Sequence, residues 1–184
     1  MPGPQTPMQH VAKPERADPR LSPTAKALAA TAAALGAAAV FNTYRARKAE
    51  RDHPPRGRFV EADGVRLHYI ERGEGPPVVL LHGNVVTAED WLVSGVFAPL
   101  AERHRVVAFD RPGFGFSERP RGSVWTAARQ AALIRKACSL LGLGPAVFVG
   151  HSWGAMVALE MALSHPEAVS GLVVLAGYYD PTVR

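Results

Sequence analysis

The hydrophobic rhythm of this chain changes near residue 59. From Ala27 to Tyr44, "ALAATAAALGAAAVFNTY", eighteen positions pass without a charge, the length at which a membrane-spanning helix becomes a candidate. After "HPPRGR" the pattern shortens and alternates. "RFVEADGVRLHYIERG" holds two alternating stretches around Asp63-Gly64, a dipeptide that favours a tight hairpin turn, and it predicts an antiparallel strand pair. "PPVVLLHG" is a continuous apolar run closed by glycine, the signature of a strand buried on both faces. Residues 87–101 then read as a helix, 105–110 as a strand and 124–142 as a long helix ended by Gly142. Residues 146–150 read as a strand, 153–164 as a helix and 171–179 as a last buried strand. Strands and helices in alternation predict an α/β fold, a mostly parallel sheet with helices on both faces and the hairpin at its edge.

Composition refines the front of the chain. Residues 1–23 are rich in proline and polar residues and offer little apolar surface to bury, so a disordered tail is expected there. An Ala-rich hydrophobic helix is expected over 24–51. Alanine partitions weakly into lipid, and Thr31, Gly36, Asn42 and Thr43 dilute the run, so three readings stay open: a membrane anchor through 27–44, a cleaved signal peptide, or a soluble or interfacial helix. If it is an anchor, the basic cluster "RARKAER" at 45–51 keeps the following domain cytoplasmic.

The net charge of +5 belongs to this front segment. Residues 1–58 carry ten Lys or Arg against four acids, and the remainder carries eleven against twelve. A basic face for nucleic acid on the globular part is therefore not expected. Cys138, the only cysteine, can form no intrachain disulfide; it sits in the helical pattern "AALIRKACSLLG" as a small buried residue without metal-ligand spacing around it.

The chemistry concentrates in three segments. "VFVGHSWGAM" places Gly150, His151, Ser152, Trp153 and Gly154 between a strand and a helix, which matches G-x-S-x-G at a nucleophile elbow. The residues two before and two after the serine must be nearly free of side chain, and both are glycine. "VVLLHGNVV" puts His82, Gly83 and Asn84 directly after an apolar strand. An acyl-transfer intermediate needs two backbone N–H donors aimed at its oxygen, and Trp153 and Asn84, or its neighbour, are the candidates. His82 reads as a brace for that loop. "FDRPGFGFSERP" ends a strand in Asp110, which reads as an acceptor that organises the turn.

Taken together, HGN at 82, DRPGFGFS at 110 and GHSWG at 150 resemble the α/β-hydrolase superfamily from about Phe59 onward. The resemblance implies Ser152 as nucleophile, with an acid and then a histidine later in the chain. After Ser152 the only acids are Glu160, Glu167 and Asp180, and the only histidine is His165. His165 follows a helix that leads away from the serine and would stand about 20 Å from its hydroxyl. Asp180 occupies the place of a sixth-strand acid. The domain at 59–184 is accordingly expected to be incomplete, cut after the sixth strand, with the base outside it and the acid outside it too unless Asp180 serves.

The resulting expectation is a serine hydrolase forming an acyl-enzyme on an ester, lactone or similar small carbonyl substrate, with no metal or other cofactor. Asn84 and Trp153 are also similar to the halide-holding pair of haloalkane dehalogenases. Those enzymes use an aspartate nucleophile, and a Ser152 ether could not be opened by water. The alternative from another class is a non-catalytic, truncated or membrane-anchored α/β-hydrolase-like binding protein. Oligomeric state is not legible in the sequence.

Overall fold

The structure, a computed structural model, describes residues 22–177. The expected tail lies outside the described residues except for Ser22 and Pro23, which start the first helix. Ser22 accepts the Ala25 N–H at 3.2 Å and Pro23 occupies the first turn, where its missing N–H costs nothing. That helix, α1 (Pro23–Asp52), extends for about 45 Å at the standard rise. Leu28, Leu35, Val40, Phe41 and Tyr44 are exposed along it. Thr43 donates its hydroxyl to the Ala39 carbonyl at 2.8 Å, so even this polar side chain is satisfied within the helix. By length and composition Pro23–Ala49, of mean hydropathy 1.5, can cross a membrane.

The chain divides into two compact units, residues 1–53 and 54–184. In the second, the strands are β1 (Arg58–Ala62), β2 (Val65–Arg72), β3 (Pro77–Leu81), β4 (Arg105–Phe109), β5 (Ala146–His151) and β6 (Val169–Leu175). They form one sheet in the order β1-β2-β4-β3-β5-β6. The β1–β2 and β2–β4 pairs are antiparallel and the other three are parallel. Asp63 and Gly64 turn the β1–β2 hairpin with φ of 47° and 71°, the left-handed pair that such a turn requires.

Why the central strands are apolar at every position follows from their two faces. Val79, Leu81, Val107, Phe109 and Phe148 pack with α4 (Ala127–Leu140) and α5 (Trp153–Ser164). The alternate residues Val78, Leu80, Val106, Ala108 and Val149 pack with Trp91, Phe97 and Ala101 on the other face. Each such side chain removed from water contributes roughly 1.5–3 kcal/mol. Thr126 caps α4 by accepting the Arg129 N–H. Gly142, at φ 64°, ends it while Leu143 N–H returns to the Cys138 carbonyl at 2.9 Å, a left-handed helix stop.

Two expected elements differ. The helix expected over 87–101 is split into α2 (Glu89–Val93) and α3 (Phe97–Ala101). Gly95 adopts φ 78° and its N–H closes on Leu92, so a left-handed residue stops the first piece and the chain turns before restarting. The last strand spans 169–175 rather than 171–179; Tyr178 and Tyr179 lie outside the described residues. It is also not fully buried: Leu172, Val173 and Leu175 are 36–42% exposed. Among the described residues β6 has a paired neighbour on one side only.

Candidate active site

Parallel strands bring their following loops to one edge of the sheet, the usual place for a ligand crevice in such folds. β4 and β5 flank β3, so the loops after Leu81, Phe109 and His151 are neighbours there. Backbone strain gathers at the same edge. Val85, Ser152 and Ala176 have φ of 58°, 52° and 49°, and among the described residues the only other non-glycine with positive φ is Asp63. Such conformations cost roughly 1–3 kcal/mol each and persist only where the surroundings impose them.

Ser152 sits between β5 and α5 at φ 52°, ψ −117°. Its N–H donates to the Leu175 carbonyl of β6 at 2.9 Å, and its own carbonyl accepts the Ala155 N–H at 3.0 Å. The flanking glycines are dictated by contact. A Cβ on Gly150 would overlap the Gly154 carbonyl and the Ala155 backbone, and one on Gly154 would overlap the carbonyls of Leu81 and His82. Trp153 opens α5, so the partial positive charge of that helix end lies beside the serine.

The loop after β3 abuts this elbow. A Cβ on Gly83 would lie 3.2 Å from Ser152 Cβ and 3.1 Å from His151 Nδ1. His82 is fully buried, and the Arg111 backbone N–H donates to its Nε2 at 2.9 Å. The ring proton is thereby assigned to Nδ1, which donates to the Gly83 carbonyl at 2.7 Å. Burial, helped by the Arg111 charge and opposed by the Gly83 bond, pushes the His82 pKa down to about 4. The imidazole is neutral near pH 7 and ties two loops together.

Asp110 gathers a different set of partners. Its Oδ1 accepts the Ala88 N–H at 2.7 Å, and its Oδ2 accepts from His68 Nδ1 at 2.8 Å and from the Phe116 N–H at 3.0 Å. Burial pushes this carboxyl up, but those three donors outweigh it and hold it below the ordinary carboxylate range. Ser117 Oγ donates to the Asp110 carbonyl and accepts the His68 N–H. The DRPGFGFS loop is thus folded around one aspartate.

Sequence reasoning missed Arg111. Its guanidinium is fully buried and donates to the His82 and Gly83 carbonyls, to Asn84 Oδ1 and to Gln130 Oε1. Burial pushes its pKa down to about 10, leaving it cationic at neutral pH. Nothing in "DRPG" sets it apart from a solvated arginine, and no sequence signal marks acceptors that are backbone carbonyls. His68 was missed for a similar reason, because it occupies an alternating strand and its partner comes from the loop that follows β4.

The structure therefore brings His82, Gly83, Asn84, Gly150, Ser152, Trp153 and Gly154 to adjoining loops. Asp110 is one strand further, and Asp180 lies outside the described residues. His165 caps the far end of α5, about 20 Å along the helix from Ser152. Among the described residues no histidine is hydrogen-bonded to the Ser152 hydroxyl, and no cluster of three metal-ligating side chains occurs.

A family model described as the alpha/beta hydrolase fold matches residues 76–183. Haloalkane dehalogenase 2 of Mycobacterium tuberculosis is 33% identical over 129 residues, 70% of this chain and 44% of that protein. The chain thus spans less than half the length of that relative. The solved structure of Est816, an N-acyl homoserine lactone degrading enzyme, matches at 32% identity with a TM-score of 0.61, covering 65% of this chain and 45% of the other. A membrane phospholipase A, a bacterial virulence factor, matches at 29% identity with a TM-score of 0.65, covering 85% and 51% respectively.

Proposed function

The chain belongs to the alpha/beta hydrolase fold family, and from that premise we propose that it carries the nucleophile and the oxyanion site of a serine hydrolase acting through an acyl-enzyme. The substrate is an ester, lactone or similar small carbonyl compound. The observation that carries this reading is Ser152 on its strained elbow with the Gly83–Asn84 loop against it. Ser152 Oγ attacks the acyl carbon, the carbonyl oxygen becomes anionic, and the backbone N–H groups of Trp153 and Asn84 receive it. A base beyond the described residues takes the serine proton and returns it to the departing alkoxide as the ester C–O bond breaks. Water then attacks the acyl-enzyme, releasing the acid and restoring the Ser152 hydroxyl. Serine at the elbow favours this over the dehalogenase chemistry in a relative's name, because a serine ether is stable to water where an aspartyl ester is not.

A hydrophobic anchor is part of the proposal. The match to the membrane phospholipase covers 85% of this chain, a larger share than residues 54–184 make up, so it extends into the unit that contains α1. That supports reading α1 as a membrane helix, with the basic positions Arg45, Arg47, Lys48 and Arg51 at its carboxyl end held on the cytoplasmic side.

A fluorophosphonate probe tests the nucleophile. Folded, monodisperse chain is expected to be labelled at Ser152, with Ser152→Ala unlabelled. Absence of labelling in such a sample would overturn the enzymatic reading. It would favour the second one, a non-catalytic binding domain, whose support is that no histidine among the described residues bonds the Ser152 hydroxyl.

A further inference from the structure

A buried guanidinium usually faces a carboxylate, and Arg111 does not: among the described residues its acceptors are three oxygens of one loop and the side chain of Gln130. Taking a cation out of water is costly unless its hydrogen bonds are met. The fold meets that cost with the carbonyls of His82 (2.7 Å from Nε) and Gly83 (2.9 Å from Nη2) and with Asn84 Oδ1 (2.9 Å from Nη2). Phe114 lies over the guanidinium, 4.6 Å from ring centroid to Cζ, and meets the His82 ring edge-on. The group is held from several sides, and what it grips is the segment next to Ser152.

The direction of that grip matters. A trans peptide is planar, and its carbonyl and N–H point in opposite directions. The Gly83 carbonyl is taken twice, by Arg111 Nη2 and by His82 Nδ1. The N–H on the same peptide plane, that of Asn84, must therefore point away from Arg111. No acceptor among the described residues takes it. The next residue, Val85, holds φ 58°, a conformation that a β-branched residue avoids unless something imposes it.

Resting on the serine-hydrolase reading, we propose that Arg111 is the positioning residue of the oxyanion site: its fork turns the loop carbonyls inward and so presents the Asn84 N–H to the acyl oxygen held at Ser152. Arg111 touches neither substrate nor Ser152; it acts through the peptide that links Gly83 to Asn84. His82 supplies the second pin on the same carbonyl, and its protonation on Nδ1 is fixed by the Arg111 main chain. Both the main chain and the side chain of one residue thus set the loop.

The test uses the full chain with Arg111→Met, which keeps the stem and removes the donors, and Arg111→Lys, which keeps the charge and loses the fork. The rate of fluorophosphonate capture by Ser152 in folded protein is expected to fall about 100-fold in the first, as for removal of an oxyanion donor, with partial recovery in the second. A role confined to stability would lower the unfolding midpoint and leave the rate per folded molecule unchanged. Independently of labelling, nitrogen-15 spectra should show His82 protonated on Nδ1 in the wild type. The Arg111→Met variant keeps the main-chain donor and should keep that tautomer, while the Asn84 amide resonance shifts because its peptide has lost the Nη2 bond.

Capture within twofold of wild type in Arg111→Met, or an unmoved Asn84 amide, would overturn the proposal. If Arg111→Met does not fold, Arg111→Lys carries the same two readouts, and wild-type values for both would overturn it equally. A wild-type chain that is never labelled would instead defeat the serine-hydrolase reading. The spectra alone would then decide whether Arg111 sets the loop.

Discussion

The backbone N–H of Ser152 donates to the Leu175 carbonyl, which ties the elbow on β5 to the end of β6. Ser152 is therefore held by its own amide, and that amide is not free to serve an oxyanion. The strain at φ 52° is set against this bond and against the packing of α5.

Replacing Ser152 by glycine should relax that strain, whereas alanine keeps the offending Cβ. Ser152→Gly is expected to be about 1 kcal/mol more stable than Ser152→Ala, the left-handed penalty less the extra flexibility of unfolded glycine. Urea denaturation of the two variants checks this. Equal midpoints would mean that the elbow stores no strain at this residue.

Gly154→Ala should do the reverse. Its Cβ would overlap the Leu81 and His82 carbonyls, so α5 must move away from β3. A loss of about 2–4 kcal/mol, in the range of core overpacking or beyond, is expected from chemical denaturation. Wild-type stability would refute the close approach of α5 to β3.

The buried His82 gives a pH window. Its ordinary pKa of 6.5 falls to about 4 in the fold, so between these values the unfolded chain binds a proton that the folded chain refuses. Stability should then decline as pH falls from about 6.5 to about 4, by roughly 3 kcal/mol from this group. Asp110, whose carboxyl is held low by its donors, stabilises above its unfolded pKa of 3.8, and that contribution is lost as pH falls further through its folded value. Denaturation at stepped pH in wild type and His82→Asn separates the two. A slope between pH 6.5 and 4 that survives in the variant would assign it elsewhere.

Cys138 should be inert. It is buried on α4, and burial pushes its thiol up to about 12, so almost no thiolate exists near pH 8. Ellman's reagent is expected to leave the native protein unmodified and to react fully once guanidinium is added. Rapid native reaction would contradict that burial.

For α1, residues 1–58 fused to a soluble reporter should sediment with membranes, resist high salt and carbonate, and dissolve only in detergent. Release by salt would indicate surface binding instead. A reporter left in the soluble fraction would remove the anchor from the proposal.

Much of the globular fold could be read from the chain because its strands are buried on both faces: "PPVVLLHG" and "RVVAFD" have no polar alternative to the sheet interior. Ser152 was equally legible, since its turn constrains five consecutive residues. The break at Gly95 was not, because one glycine inside an apolar pattern is compatible with either a continuous helix or a stop. Nor was the Arg111 grip on 82–84, or the pair of His68 on β2 with Asp110 just after β4. Those contacts join residues 27 to 42 positions apart, and only the strand order brings them together.

The Arg111 contacts also shape how freely the loop can vary. Two of the three loop oxygens it holds belong to the main chain at His82 and Gly83, and no side-chain substitution deletes a carbonyl. A saturation library across 84–86 should therefore retain most of the grip whichever side chains it introduces, and could retune what the crevice accepts. Position 111 offers no such freedom, because there the donors themselves are side-chain atoms. Loop identity and loop geometry are encoded at separate places in the chain, which makes the rim a natural target for altering selectivity without rebuilding the site.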